Sequence, residues 1–308
     1  MLDVKRMAVL REVVARGSFS AAADSLHLSQ SAVSQQVAAL EREVGLQLLE
    51  RTSEGPKLTT AGEKLAGHAD AVISRLSEAE RELAEIAGLE GGRLRVTSFP
   101  TASATLMTLA MSEFRRRHPQ IELQFAESEP EESLPAIRRG DYDVALIFDY
   151  LDLPTQFGRD VEAEMIYEDP MRVALPPGHP LAASKKVKIA DLSDEEWLCG
   201  NEPSSCRQHV VSACRSAGFE PKISFETDDY QVLQGLVASG LGVGLLPSLA
   251  HQDPGVELRE IAGENPVRRI WSVARSAASC SPATAEMLAI LRRVGAEHGR
   301  DKTALAAA

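Results

Sequence analysis

Ser29, Gln30, Ser31, Ser34 and Gln35 fall within seven residues and carry hydroxyls and carboxamides that both give and accept hydrogen bonds. Such groups suit the reading of base edges in a DNA major groove, where each base pair shows its own pattern of donors and acceptors. A different chemistry is offered by Cys206, with His209 three residues on and Cys199 and Cys214 nearby, namely a redox thiol, a thiol nucleophile or part of a metal site. No other residues in the sequence complete a catalytic or metal-ligating set, so neither a cofactor nor a metal is expected.

The elements that must hold the first set follow from spacing. Ser18 is placed to cap a short helix over Phe19 to Leu26, His27 and Leu28 make a turn, and Ser29 caps the next helix. Along that helix Val33, Val37, Leu40 and Val44 recur at four, three and four residues as one buried stripe, which Gly45 ends. Gln30, Ser31, Ser34 and Gln35 lie on the opposite face. The pattern predicts a helix-turn-helix whose last helix reads DNA.

The continuation Glu41-Arg42-Glu43-Val44-Gly45-Leu46-Gln47-Leu48-Leu49-Glu50-Arg51-Thr52, then Lys57-Leu58-Thr59-Thr60-Ala61-Gly62, resembles the LysR-type transcriptional regulators. The likeness runs through residues 1–62 without a gap. It implies a recognition helix, a two-stranded wing and a long linker helix, with Arg51, Lys57 and Thr59 holding the wing to the DNA backbone or minor groove. Gln35 stands where many relatives carry arginine, and Leu49 where they usually carry phenylalanine. The first removes a phosphate-binding charge and alters base preference; the second repacks the wing.

From Thr60 to Gly88, Leu65, Ala69, Val72, Leu76, Ala79, Leu83 and Ile86 recur at four and three residues, a heptad seam that favours a partner helix and hence a homodimer. Glycines end it, and the rhythm becomes strand, helix, strand. Strands are predicted at Leu94–Ser98, Ile121–Phe125 and Val144–Phe148, with helices at Thr101–Arg117 and Glu131–Arg139. The alternation repeats from Glu164 to Leu246, and a strand at Ile270–Ala274 with a helix at Pro282–Gly295 returns to the first lobe. The fold class is therefore α/β in two lobes, after a winged helix-turn-helix over 1–60 and a linker and dimerisation helix over 61–89; the family resemblance implies that the lobes form an effector domain similar to type 2 periplasmic binding proteins. Lobe I is assigned to 93–162 and 267–299, lobe II to 163–266, and 300–308 to a tail. The resemblance extends more loosely here, through Gly140 to Ala145, Pro176 to Leu181 and Val237 to Pro247.

In parallel sheets a ligand occupies the crevice at the carboxyl ends of the strands, where helix N-termini present N–H groups. That selects Ser98, Pro100, Thr101, Phe148 and Asp149 in lobe I and Asn201, Ser204, Ser205 and Thr227 in lobe II. Glu127, Glu129, Asp149 and Asp228 gather near the same strand ends, with only Arg207 as a cation, so a cationic or neutral effector is weighed beside the small carboxylates the family often binds. A Cys206/Cys214 redox switch is the alternative, similar to peroxide-sensing members of the family. On one intact helix those cysteines would stand about 12 Å apart, too far for a disulfide.

The chain has 308 residues and a net charge of −12, unusual for a partner of nucleic acid. Residues 1–60 are neutral, however: Lys5, Arg6, Arg11, Arg16, Arg42, Arg51 and Lys57 balance Asp3, Glu12, Asp24, Glu41, Glu43, Glu50 and Glu54. The acidic excess lies downstream. Charges interrupt any signal-like opening, and Gly235, Gly240, Gly242, Gly244 and Pro247 break the uncharged stretch Tyr230–Ala250, so a cytoplasmic protein is expected. The reading is a LysR-type regulator with double-stranded DNA, a small-molecule effector and a second copy of itself as partners, not an enzyme. A solute-binding protein or enzyme is the rival of a different class.

Overall fold

A computed structural model describes residues 2–52, 55–86, 92–250, 253–263, 266–276 and 281–306. The chain divides into two compact units, the first over Met1–Gly92 and the second chiefly over Arg93–Ile137 and Tyr142–Ala308.

The first unit opens with helices α1 (Val4–Arg16), α2 (Phe19–Ser25) and α3 (Gln30–Val44). Side-chain oxygens of Asp3, Ser18 and Ser29 each accept a backbone N–H at the three helix starts, supplying partners that helix geometry leaves wanting. Gly17 and Gly45 end α1 and α3 in the left-handed conformation, which glycine adopts without steric cost. Strands β1 (Leu49–Thr52) and β2 (Gly55–Leu58) pair antiparallel, with Glu50 opposite Lys57 and Arg51 opposite Pro56. The Glu41 carboxylate accepts the N–H groups of Leu48 and Leu49, tying this wing to the end of α3. Helix α4 (Thr60–Ile86) follows; a Cβ on Gly62 would lie 2.1 Å from the Leu48 carbonyl oxygen, so only glycine lets α4 start this close to the wing.

The second unit begins with β3 (Arg93–Ser98), then α5 (Pro100–Ala102), a π turn over Ser103–Met107, and α6 (Thr108–Arg117). Strand β4 (Glu122–Glu127), helix α7 (Pro130–Arg139) and strand β5 (Val144–Tyr150) complete the first half-sheet, in which β3 lies parallel to both β4 and β5. Strand β6 (Val161–Leu175) is one long strand. Its first part, through Pro170, pairs with β12; from Met171 it pairs with β10 and β11. The lobes therefore change over between Pro170 and Met171, where the sequence reading placed the start of lobe II at residue 163.

Lobe II contains β7 (Lys186–Val187), β8 (Glu196–Cys199), α8 (Ser205–Ser216), β9 (Lys222–Glu226), α9 (Tyr230–Ala238), β10 (Val243–Pro247) and β11 (Glu257–Ile261). Strand β12 (Val267–Arg275) returns antiparallel to β5, and α10 (Pro282–Ala306) packs on lobe I. The path β4-β3-β5-β12-β6-β10-β8-β9 is mixed rather than purely parallel: the two crossing strands run antiparallel to their neighbours because they carry the chain between lobes. Apolar side chains from both lobes, among them Phe99, Phe114, Tyr150, Trp197 and Ile270, form one continuous core.

Candidate functional site

Helix α3 is held by Val33, Val37 and Leu40, all buried in the head. Fixing that face leaves Gln30, Ser31 and Gln35 exposed and Ser34 half-buried on the other, the arrangement the spacing predicted. The Ser29 hydroxyl caps Ala32 N–H at 3.2 Å and lies 3.0 Å from the Ser31 hydroxyl, so it shapes the helix start as well as edging its polar face. Lys57 is exposed on β2. Arg51 sits on β1; its side chain lies outside the described residues. Thr59 differs from expectation: its hydroxyl donates to the Gln47 carbonyl at 2.8 Å and accepts Gly62 N–H at 3.0 Å. It caps α4 and fastens the wing, leaving no idle hydroxyl for a phosphate.

The heptad seam on α4 also needs correction. Leu65 is 8% exposed and Ala69 0%, packed with Met7, Leu10, Leu40 and Leu48 of the same chain. Ala61 and Ile73 join them, so the inward stripe steps by four residues and diverges from the seam. Val72 and Leu76 stay 40% and 48% exposed. The side chains of Leu83 and Ile86, and the glycines Gly88 and Gly91, lie outside the described residues.

Between the lobes of the second unit lies a cavity of about 690 Å³, the size of a small-molecule site. Pro100, Thr101, Phe148, Ser204, Ser205 and Thr227, all selected from sequence, line it. Ser98, Asp149 and Asn201 are absent from its wall. Ser98 is wholly buried. Asp149 points to the other face of β5 from Phe148, as strand alternation requires, and takes two hydrogen bonds of 2.8 Å from Arg269 and one of 2.9 Å from the Trp271 indole. Asn201 supports the wall indirectly, donating through its backbone N–H (3.0 Å) and Nδ2 (2.6 Å) to Asp228, which does line the cavity.

The cation of the cavity is not Arg207, which pairs with Glu226 at 2.7 Å and Glu202 at 3.2 Å away from the wall. It is Arg268, which sequence reading missed. Brought in by the returning strand β12, Arg268 is 1% exposed and donates to Asp169 and to the Thr101 hydroxyl, each at 2.8 Å. Its guanidinium lies 4.9 Å from the ring centres of both Phe99 and Phe148. The one clue in the sequence is the adjacent pair Arg268-Arg269 near the start of the strand, since alternation must turn one of them inward. Glu127, Glu129, Glu131, Asp228 and Asp229 supply the negative side. Burial, then Glu131, pushes the Glu129 carboxyl up to about 7.

Cys206 also lines the cavity, and the hydroxyls of Tyr150 and Tyr230 donate to its Sγ at 3.5 and 3.6 Å. Burial nevertheless raises its pKa, and it raises Cys214 to about 12. Both lie on the unbroken helix α8. His209 bonds Asp152 at 3.0 Å and stacks on Tyr150 with ring centres 3.9 Å apart. Among the described residues, no group of three or more His, Cys, Asp or Glu is placed to hold a metal ion.

Comparison with known proteins adds two family matches. Residues 4–63 match the bacterial regulatory helix-turn-helix protein, lysR family, and residues 87–296 match the LysR substrate binding domain. The chain is 31% identical over 247 residues to the transcriptional dual regulator GltC of Bacillus subtilis, covering 80% of this chain and 81% of that protein. It is 32% identical over 293 residues to a probable hydrogen peroxide-inducible genes activator of Mycobacterium leprae, covering 93% and 92%. Among solved structures, a full-length OxyR variant from Pseudomonas aeruginosa superposes with a TM-score of 0.66 at 26% identity, covering 96% of this chain and 95% of that one.

Proposed function

Since this chain belongs to the LysR family of transcriptional regulators, we propose that its α3 face reads an operator base by base while the cavity between its lobes holds the effector that controls it. Gln30, Ser31, Ser34 and Gln35 contact base edges or adjacent phosphates, with Ser29 at their margin. Lys57 and Arg51 anchor the wing, and Thr59 positions it. The observation that carries this reading is the exposed polar face of α3, backed by a buried apolar one in a capped helix beside a wing. Val72 and Leu76 provide the described part of the surface on which a second copy packs, giving a homodimer that can build a tetramer. No described helix is long and apolar enough to cross a membrane, and the protein acts in the cytoplasm, as a regulator rather than an enzyme.

Effector binding is favoured over a Cys206/Cys214 switch by the helix that carries both cysteines. A disulfide needs the two within bonding reach, whereas both sit on the unbroken helix α8, and burial raises the Cys206 pKa. A gel shift with DNA from upstream of the neighbouring operon, run beside a scrambled duplex, tests the proposal. Retardation of the upstream fragment at concentrations that leave the scrambled one free is the expected result; equal retardation of both contradicts it.

A further inference from the structure

Several of the donors around the cavity that would attract an anion already have a carboxylate from the chain itself. At the start of α8, Ser205 N–H donates to Glu131 of the opposite lobe at 3.3 Å. Asp229 takes the first N–H groups of α9, from Gln231 and Val232. Asp228 accepts from Asn201, and the Arg268 guanidinium is paired with Asp169. An incoming carboxylate would also face Glu127, Glu129, Glu131, Asp228 and Asp229, which line the same cavity. The wall carries five carboxylates against one arginine that is already paired with Asp169, a balance that favours a cation over an anion.

Two further features describe what does fit. Beside the acids the wall is apolar, with Phe99, Ala104, Phe148 and Leu249. The buried Nε of Arg268 has no hydrogen-bond partner among the described residues, a donor whose cost is removed by an acceptor atom from a ligand. We propose that the ligand of this cavity is a small organic cation, a primary ammonium or guanidinium on a short apolar body bearing a hydrogen-bond acceptor, with its charge seated against Glu129. The proposal rests on the cavity being the effector site. Glu129 is the natural seat because it alone of the five is half-buried, and burial together with Glu131, Asp228 and Glu127 opposes its ionisation more than Arg268 favours it; a cation beside it relieves that repulsion and releases a proton.

The test is calorimetry on the full-length protein with tyramine, its neutral analogue tyrosol and its anionic analogue 3-(4-hydroxyphenyl)propionate. Tyramine is expected to bind about tenfold or more tightly than either analogue, and Glu129→Gln to remove that advantage. Buffers differing in ionisation heat should show proton release on tyramine binding near neutral pH, absent in Glu129→Gln. Tighter binding of the propionate, an unchanged tyramine affinity in Glu129→Gln, or no binding of tyramine at millimolar concentration overturns the proposal. Ala104→Trp, which fills the cavity from an exposed position on its wall, separates the two levels. If the anion binds best and Ala104→Trp abolishes it, the ligand class is wrong and the cavity stands; if binding survives Ala104→Trp, the cavity reading itself fails.

Discussion

Glu129 sits near Glu131, Asp228 and Glu127 with Arg268 alone to offset them, and burial in that company lifts its carboxyl from 4.5 to about 7. A raised folded value means that this group's favourable contribution is complete below the unfolded pKa and is lost as pH rises through about 7. Glu129→Gln should therefore raise the melting temperature of the ligand-free protein at pH 8, by the equivalent of about 1–3 kcal/mol after allowing for partial solvent screening, and change it little near pH 4.5. A melting temperature that falls at pH 8 contradicts this account of the site. On α3, Gln30→Ala should cost roughly 1–3 kcal/mol at one base step, whereas Lys57→Ala should weaken all sequences alike. Competition titrations against single-base operator variants separate the two; a uniform loss for both mutants contradicts the division. The residues that proved hardest to place from sequence are those whose partners are distant along it. Arg268 meets Thr101 and Asp169 across 167 and 99 residues, and no local pattern announces such a meeting. Asp149 was misplaced for a local reason: strand alternation turns it away from the cavity that Phe148 faces.

Helix α4 carries two apolar stripes that share Leu65 and Ala69. One, through Ala61 and Ile73, is buried by the head of the same chain; the other leaves Val72 and Leu76 exposed. Leu65→Asp should therefore unfold the head, since it puts a charge into a packed core, while Leu76→Asp should leave the circular dichroism spectrum intact and shift sedimentation from dimer toward monomer. A monomeric wild type, or a Leu76→Asp variant that stays dimeric, contradicts the proposed interface. Helix caps, the α3 stripe and most strand positions were legible because they rest on neighbours within a few residues: Ser18 and Ser29 cap where their spacing placed them. The division of α4 was not, because a 3.5-residue repeat shows that a face is buried and says nothing of whether the same chain or another covers it. The same limit hid the single long β6, whose inward charge at Asp169 marks the lobe crossing and reads locally as a loop.

At the scale of the molecule, charge is segregated: residues 1–60 are neutral and the net −12 lies beyond them. With few cations to neutralise phosphates, few counterions are released on binding. The logarithm of operator affinity should then fall with the logarithm of salt at a slope well short of the roughly −10 seen for a repressor that neutralises many phosphates, and a slope that steep would contradict the hydrogen-bond-dominated reading of α3. The central claim is that two copies of the α3 face read related half-sites on one operator. DNase I footprinting of the upstream region tests it most directly. Two protected half-sites of related sequence, spaced by whole turns of about 10 base pairs, with both lost together in Gln30→Ala, is the predicted result. Featureless protection along the fragment, or a footprint that Gln30→Ala leaves unchanged, would contradict it.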